Sequence, residues 1–144
     1  MIEIRHSLPN AADLAKRLAA VAPNVANNIV RTGALRAAQM LGERMKAILI
    51  GNGSVVSGRL LASIEARRSK PRNGYVSAKV GPTKVPYARL VELGHWHPRN
   101  KSKWVRAKPF VGPAFHSSQD QINKTMTTSI HALLSDVLPG GSKK

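Results

Sequence analysis

Apolar side chains recur at the three-to-four-residue spacing of an amphipathic helix in three segments of the chain. The first follows Asn10, a residue type that caps helices, and ends at Pro23, which interrupts one. The second covers residues 24–50 and contains two glycines that suit close packing. The third has Pro113 in its first turn, and its apolar face comprises Phe115, Ile122, Met126, Ile130, Leu133 and Val137. Three helices are therefore predicted, of which the second and third are long.

Shorter segments alternate apolar and polar residues, which is the pattern of strands. Ile2 and Ile4 predict a short first strand. Residues 63–81 predict a β-hairpin, because a proline- and glycine-containing turn sequence, PRNG, separates two alternating runs. Residues 87–93 predict a short helix that ends at Gly94. The strands and helices are therefore interspersed along the chain.

This order of elements predicts an α+β fold: a small mixed sheet with a β-hairpin, packed by a long central helix and a long C-terminal helix. The 144 residues are enough for one hydrophobic core and too few for two. We expect a single domain over residues 1–138, followed by a flexible tail over residues 139–144 with the sequence PGGSKK.

The charge balance is extreme for a chain of this size. There are 23 lysines and arginines against 7 acids, which gives a formal net charge of +16 and a pI of about 11.4. Such an excess predicts an anionic partner, either nucleic acid, a membrane surface or an acidic protein face. No apolar run reaches the length of a membrane span, and we expect no membrane partner.

Signals of catalysis and metal binding are weak. No two of the acids form a close sequence pair, and neither a phosphate-binding loop nor a nucleophile elbow is present, so we expect no enzyme activity and no cofactor. His95 and His97, on either side of Trp96, are the one tempting metal pair. Because cysteine is absent and no nearby acid completes a ligand set, we interpret them as packing residues and assign no metal.

A basic loop, residues 95–108, carries five cations and no acid: Arg99, Lys101, Lys103, Arg106 and Lys108. These cations surround Trp104, so that a nucleic-acid base could stack on the indole while lysines meet phosphate. The alternatives are a solvated loop and a loop that inserts into an acidic protein. No helix-turn-helix or zinc finger frames the segment, and we favour the acidic protein partner. Mutual repulsion predicts that the loop is open in the free subunit.

Motifs in a fixed order run through the chain. IEIRHSLPNAADLAKRL comes first, SGRLLASI precedes the hairpin, YARLVELG follows it, and KPFVGPAF opens the last helix. This succession resembles the head–tail joining, or tail-completion, protein family of long-tailed bacteriophages, and the resemblance covers nearly the whole chain. The resemblance is carried by the order of the motifs, since none of them is specific alone.

The resemblance implies a structural protein of the virion, assembled in the cytoplasm of the host bacterium and placed in the neck or tail. Copies would form a homo-oligomeric ring, of about six or twelve subunits, with one interface repeated until the ring closes. The ring would lie between the head-side connector or adaptor protein and the tail terminator or tail tube protein. Double-stranded DNA would pass through its lumen, with at most transient contact.

The resemblance also points to residues. Those that match its motifs are Gly58, Leu60, Tyr87, Ala88, Glu92, Gly94, Pro109, Phe110, Pro113 and Ala114. The candidates for the subunit or partner interface are Tyr87, Glu92, Gly94, Trp96, Trp104, Pro109, Phe110 and Pro113, and those for an acidic partner or DNA are Arg99, Lys101, Lys103, Arg106 and Lys108. His95 replaces the usual threonine, and the loop that follows is unusually basic.

Two of these candidates have alternative interpretations. Glu92 could pair with an arginine of a neighbouring subunit, or within the chain with Arg89 or a hairpin arginine. Phe110 could be a stiff docking anchor between two prolines, or a plain core aromatic. For the whole chain, the alternative to a neck protein is a free basic protein that binds nucleic acid and shapes it.

Overall fold

The computed structural model describes residues 2–3, 11–53, 58–72 and 75–138. Its helices are α1 (Ala11–Ala19), α2 (Pro23–Gly51), α3 (Arg59–Ala62), α4 (Ala88–Leu93), α5 (Val111–Ser117) and α6 (Gln119–Val137). Its strands are β1 (Ile2–Glu3), β2 (Ile64–Arg68), β3 (Ala78–Pro82), β4 (His95–Trp96) and β5 (Trp104–Val105). The predicted α+β class, with a long central and a long C-terminal helix, is confirmed.

Helix α2, 29 residues long, is the element on which α1, α5, α6 and the strands β2 and β3 pack. Buried positions recur along it every four residues: Ile29, Gly33, Ala37, Leu41, Met45 and Leu49. Gly33 lets helix α6 approach, because a Cβ placed there would lie 2.8 Å from Cγ1 of Ile130. Gly42 lets the sheet approach in the same way, because a Cβ placed there would lie 3.2 Å from Cγ2 of Val80. The predicted close packing of helices is confirmed at Gly33, whereas Gly42 packs against the sheet.

The C-terminal segment differs from its prediction in two respects. The single predicted helix is divided at Ser118, where the amide donates 3.2 Å to Phe115 and α6 begins. Ile122 and Ile130 are buried as predicted, but the last core position is Leu134, which is fully buried. Leu133 is half-buried and Val137 is 45% exposed. The buried face near the end of α6 therefore passes through Leu134, one residue after the predicted Leu133.

The main sheet has the strand order β1-β3-β2 and is antiparallel throughout, rather than mixed. The hairpin is confirmed: β2 and β3 pair from Ile64 opposite Pro82 to Arg68 opposite Ala78. A bridge between Arg72 and Tyr75 flanks the turn, whose residues 73–74 lie outside the described part. The predicted strand at Ile2 is confirmed as β1, whereas Ile4 and Asn10 are outside the described residues.

Buried side chains form two clusters on opposite parts of α2. The larger joins the C-terminal half of α2 to the sheet, to α3 and to Phe110 and Ala114 of the segment that opens α5. The smaller consists of Leu14, Ile29, Ile130 and Leu134. At its edge the Arg17 guanidinium donates 2.9 Å to Nδ1 of His131, which ties α1 to α6.

Candidate interaction site

Helix α4 ends at a glycine that the geometry requires. Gly94 has φ +76°, which side chains rarely adopt, and it closes the helix by donating its amide to Leu90 at 2.9 Å. A Cβ at Gly94 would lie 2.8 Å from the carbonyl oxygen of Val105 and 2.9 Å from the amide nitrogen of Ala107. The chain therefore returns directly against Gly94, which is buried and offers no contact surface to a partner.

Glu92 does not pair with Arg89 or with a hairpin arginine of its own chain, which was one of its two predicted roles. Its carboxylate accepts hydrogen bonds from three consecutive backbone amides, at 2.8 Å from Phe110, 3.0 Å from Val111 and 3.0 Å from Gly112. These are amides at the start of α5, which no residue of that helix can satisfy. Glu92 thus acts as a remote cap that joins the YARLVELG segment to KPFVGPAF.

Phe110 belongs to the core. Its exposed fraction is 0%, and it is among the largest fully buried side chains, so the alternative of a docking anchor is wrong. The prolines on either side, Pro109 and Pro113, are exposed, and the carbonyl of Pro109 accepts 2.9 Å from Nδ2 of Asn52. Tyr87 is half-buried at the start of α4. Of this group, the prolines remain accessible to a partner.

The basic loop is a folded hairpin and not an open segment, which corrects the prediction. Strands β4 and β5 pair His95 with Val105 and Trp96 with Trp104, and the His97 amide donates 2.9 Å to Lys103. The two indoles meet edge to face, with ring centroids 5.1 Å apart. Cross-strand aromatic contacts of this kind add to the stability of a two-stranded pair. This packing and the backbone pairing outweigh the repulsion between the exposed cations.

The tip of the hairpin is organised by side-chain acceptors. Nδ1 of His97 accepts from the amides of Arg99 and Asn100 at 3.3 and 3.2 Å, and Oδ1 of Asn100 accepts 3.1 Å from Ser102. His97 therefore has a structural role as a turn acceptor. Within the described ranges, histidine and acidic side chains form no group of three that could hold a metal ion.

The electrostatics of the hairpin are uniformly positive. All five of its cations are exposed: Arg99, Lys101, Lys103, Arg106 and Lys108. The salt bridges between described residues lie elsewhere, at Lys46–Glu43 on α2 and Arg67–Glu65 on β2. The charge of the basic loop is thus not neutralised by the described carboxylates of its own chain, and it remains available to a partner.

Large apolar side chains are exposed at the same place. Trp96 is 58% exposed and Trp104 48%, and Leu90 and Leu93 on the preceding helix are 44% and 58% exposed. A surface concavity of about 320 Å³ lies beside Trp96, between His97, Pro98 and Lys101. The hairpin therefore exposes both apolar indoles and positive charges.

The structure brings the predicted contact residues of the basic loop together, although on a hairpin and not on an open loop, and it buries several of the candidates that flank the loop. Trp96, Trp104 and the five cations come together on one hairpin, whereas Glu92, Gly94 and Phe110 hold its base from inside. Neither the link between Glu92 and α5 nor that between Arg17 and His131 was predicted, because both join residues far apart in sequence.

Comparison of the chain with family models, with curated proteins and with solved structures finds no match. In the ranges that the structure describes, none of the helices combines the length and the apolar character needed to cross a membrane.

Proposed function

We propose that this chain is a structural subunit of the neck of a tailed bacteriophage, where copies form a ring that joins the filled head to the tail. The ring would contact the head-side connector on one side and the tail terminator or tube on the other, within the virion. The proposal starts from the ordered motifs, which resemble those of the head–tail joining family. It implies a role in assembly and no catalysis.

The contact of Glu92 with the amide of Phe110, at 2.8 Å, is the observation that carries the proposal. It joins the third and fourth motifs, YARLVELG and KPFVGPAF, through an acid and a segment that both belong to the matched residues. Ala88 and Ala114, two further matched residues, are buried in the same cluster. The matched residues thus form one physical frame, which supports reading them as a joint signature rather than as separate coincidences.

The frame presents a rigid base and a projecting hairpin, which suits a subunit that contacts different proteins on different faces. A ring subunit uses one heterologous interface repeatedly and keeps other surfaces for its neighbours above and below. The basic loop supplies such a surface, since its exposed indoles and cations lie outside both buried clusters.

Location in particles tests the proposal. A phage carrying a tagged copy would be purified, labelled with a gold-conjugated antibody against the tag, and imaged by electron microscopy. We expect gold at the junction of head and tail, and filled heads beside unjoined tails when the chain is missing. Gold distributed over the host nucleoid, with virions unlabelled and infectious without the chain, would contradict a role in the neck.

A free nucleic-acid-binding protein is the second candidate, and the net charge of +16 with five exposed cations on one loop favours it. A dedicated binder would hold random duplex DNA tightly, with affinity that falls steeply as salt rises. We expect weak binding that is abolished near physiological salt. Tight binding with a salt slope that corresponds to several phosphate contacts would favour this candidate instead.

A further inference from the structure

We propose that the concavity beside Trp96 is a docking site for one large apolar side chain, carried on an acidic segment of a different protein. The proposal deepens the neck function and rests on it for the setting, in which the segment would belong to a neighbouring virion protein. The chemistry of the segment itself is argued from the basic loop alone.

The site is preformed. Trp96 is held by its contact with Trp104 at 5.1 Å and by its place in the β4–β5 pair, yet more than half of its surface is exposed. The concavity of about 320 Å³ is open to solvent and has room for one side chain such as leucine or phenylalanine. Because the indole is already ordered, burying it against a partner loses little side-chain entropy.

The rim of the site selects the charge of the segment. Lys101 lines the concavity itself, and Arg99 and Lys103 are exposed near it in the same turn. The apolar stem of a lysine can cover an inserted side chain while its ammonium group meets a carboxylate. A segment with acidic residues on both sides of one apolar residue therefore complements both the floor and the rim.

A second copy of this chain does not supply such a segment. Among the described acids, Glu43 and Glu65 are paired with Lys46 and Arg67, and Glu92 caps α5. The remaining described acids are Glu3 on β1 and Asp13, Asp120 and Asp136 on helices. Each stands alone in the sequence, so the chain of net charge +16 has no apolar residue with acids close by on both sides. Two loops or two copies brought together here would repel each other, so the occupant is a different molecule.

Nucleic acid fits the site less well than a peptide does. Binding of single strands depends on a groove that tracks the backbone and on aromatic faces for successive bases. Here the two indoles pack against each other edge to face, and the concavity is lined by Trp96, His97, Pro98 and Lys101, so it offers one indole and not a row of aromatic faces. Such a shape takes one inserted side chain, and the cations around it are as suited to carboxylates as to phosphates.

The test uses the purified full chain and fluorescein-labelled peptides, with binding followed by anisotropy at low salt. One peptide has a leucine between two runs of glutamate, and the other has alanine in its place. Oligo(dT) and random duplex DNA serve as competing probes. Trp96 and Trp104 are the two tryptophans of the chain, so their emission shows directly whether a bound peptide lies at the basic loop.

Variants separate the floor from the rim. Trp96→Ala removes the floor, and Trp96→Phe keeps an aromatic ring in the hairpin. Lys101→Gln removes one rim charge. The matched controls are Tyr75→Ala and Lys79→Gln, which remove an aromatic side chain and a cation that are also exposed but lie on the main hairpin.

We expect the leucine peptide to bind about tenfold more tightly than the alanine peptide, since burial of the larger side chain adds apolar contact. Trp96→Ala should abolish this preference and Trp96→Phe should keep it. Lys101→Gln should weaken both peptides by roughly two- to fivefold, as loss of one exposed charge does, and the control variants should bind like the wild type.

Three results would overturn the proposal. Equal binding of the two peptides would show attraction by charge alone. Tighter, Trp96-dependent binding of oligo(dT) would make the site one for nucleic acid, and self-association lost in Trp96→Ala on sedimentation would make the occupant a second copy. Because these assays use the purified chain, any of these results would leave the location in particles to be decided by the gold-labelling experiment.

Discussion

The carboxylate of Glu92 accepts a hydrogen bond of 2.8 Å from the backbone amide of Phe110, 18 residues further along the chain. The acid lies on α4, before the basic loop, and the amide lies after it, so this contact closes the base of the β4–β5 hairpin. The amide of Lys108 donates a second hydrogen bond of 2.8 Å to the carbonyl of Val91, which joins the same two segments. The projecting hairpin therefore has a fixed base.

Removal of the Glu92 carboxylate should destabilise the protein. Glu92→Ala leaves three partly buried amides without their acceptor, and we expect a loss of about 2–4 kcal/mol in the free energy of unfolding. Urea unfolding followed by circular dichroism measures it. Glu65→Ala is the control, since that acid is exposed and its ion pair contributes about 0–1 kcal/mol. Equal losses in the two variants would refute the capping role.

Gly94 should not tolerate a side chain. Gly94→Ala combines an unfavourable φ with a Cβ position 2.8 Å from the carbonyl oxygen of Val105, and we expect a loss of about 1–3 kcal/mol. Gly51→Ala, at the end of α2, meets nothing within 4 Å and should be neutral or slightly stabilising. Thermal unfolding of both variants checks this. Similar melting temperatures would mean that the close approach at Gly94 is not required.

Ile130 should be intolerant of charge because it is buried where α6 packs against α2. We expect Ile130→Asp to unfold the domain or make it insoluble, since an unpaired charge would be enclosed there. Val137→Asp, on the same helix but 45% exposed, should remain soluble and melt near the wild-type temperature. The yield in the soluble fraction and the melting curve separate the two. A soluble, normally melting Ile130→Asp protein would refute this core.

Phe110→Ala should leave particles with filled heads and unjoined tails, if the chain acts in the neck. Burial of Phe110 gives the physical cause: the cavity costs about 3–5 kcal/mol, so a smaller share of the subunits is folded at the temperature of assembly. Purified Phe110→Ala protein should therefore melt well below the wild type, and the joining defect should ease at low temperature. If the variant melts normally but heads and tails stay unjoined, Phe110 contacts a partner directly. Normal plaque formation would count against a role in joining.

The charges of the basic loop should matter together and not singly. Each exposed cation near a partner contributes about 0.5–1 kcal/mol, so Lys101→Glu alone should be tolerated. Replacement of Arg99, Lys101, Lys103, Arg106 and Lys108 by Gln should block neck assembly with the fold intact, because all are exposed. Plaque counts, electron microscopy and circular dichroism check this. Infectious particles would refute the prediction, and failure at DNA ejection alone would place the loop on the channel wall.

Sequence reasoning located the elements because their signals are local. The three-to-four-residue spacing of apolar side chains along α2, the turn in the hairpin and the glycine after α4 can all be recognised within a few residues. The functions of Glu92 and Phe110 were harder, since they depend on a segment 18 residues away folding back onto α4. The basic loop was predicted to be open because its charges are visible in the sequence, whereas the pairing of Trp96 with Trp104 needs the register of two strands.

Because the buried positions on α2 recur every four residues, the buried stripe winds slowly around the helix. A step of four residues turns about 40° beyond a full rotation, so from Ile29 to Leu49 the buried stripe turns through roughly 200°. The same stripe can thus face α1 and α6 at one end and the sheet at the other, as the two clusters require. Insertion of one residue near Ala37 would twist one end against the other by about 100°, leaving either cluster intact but not both.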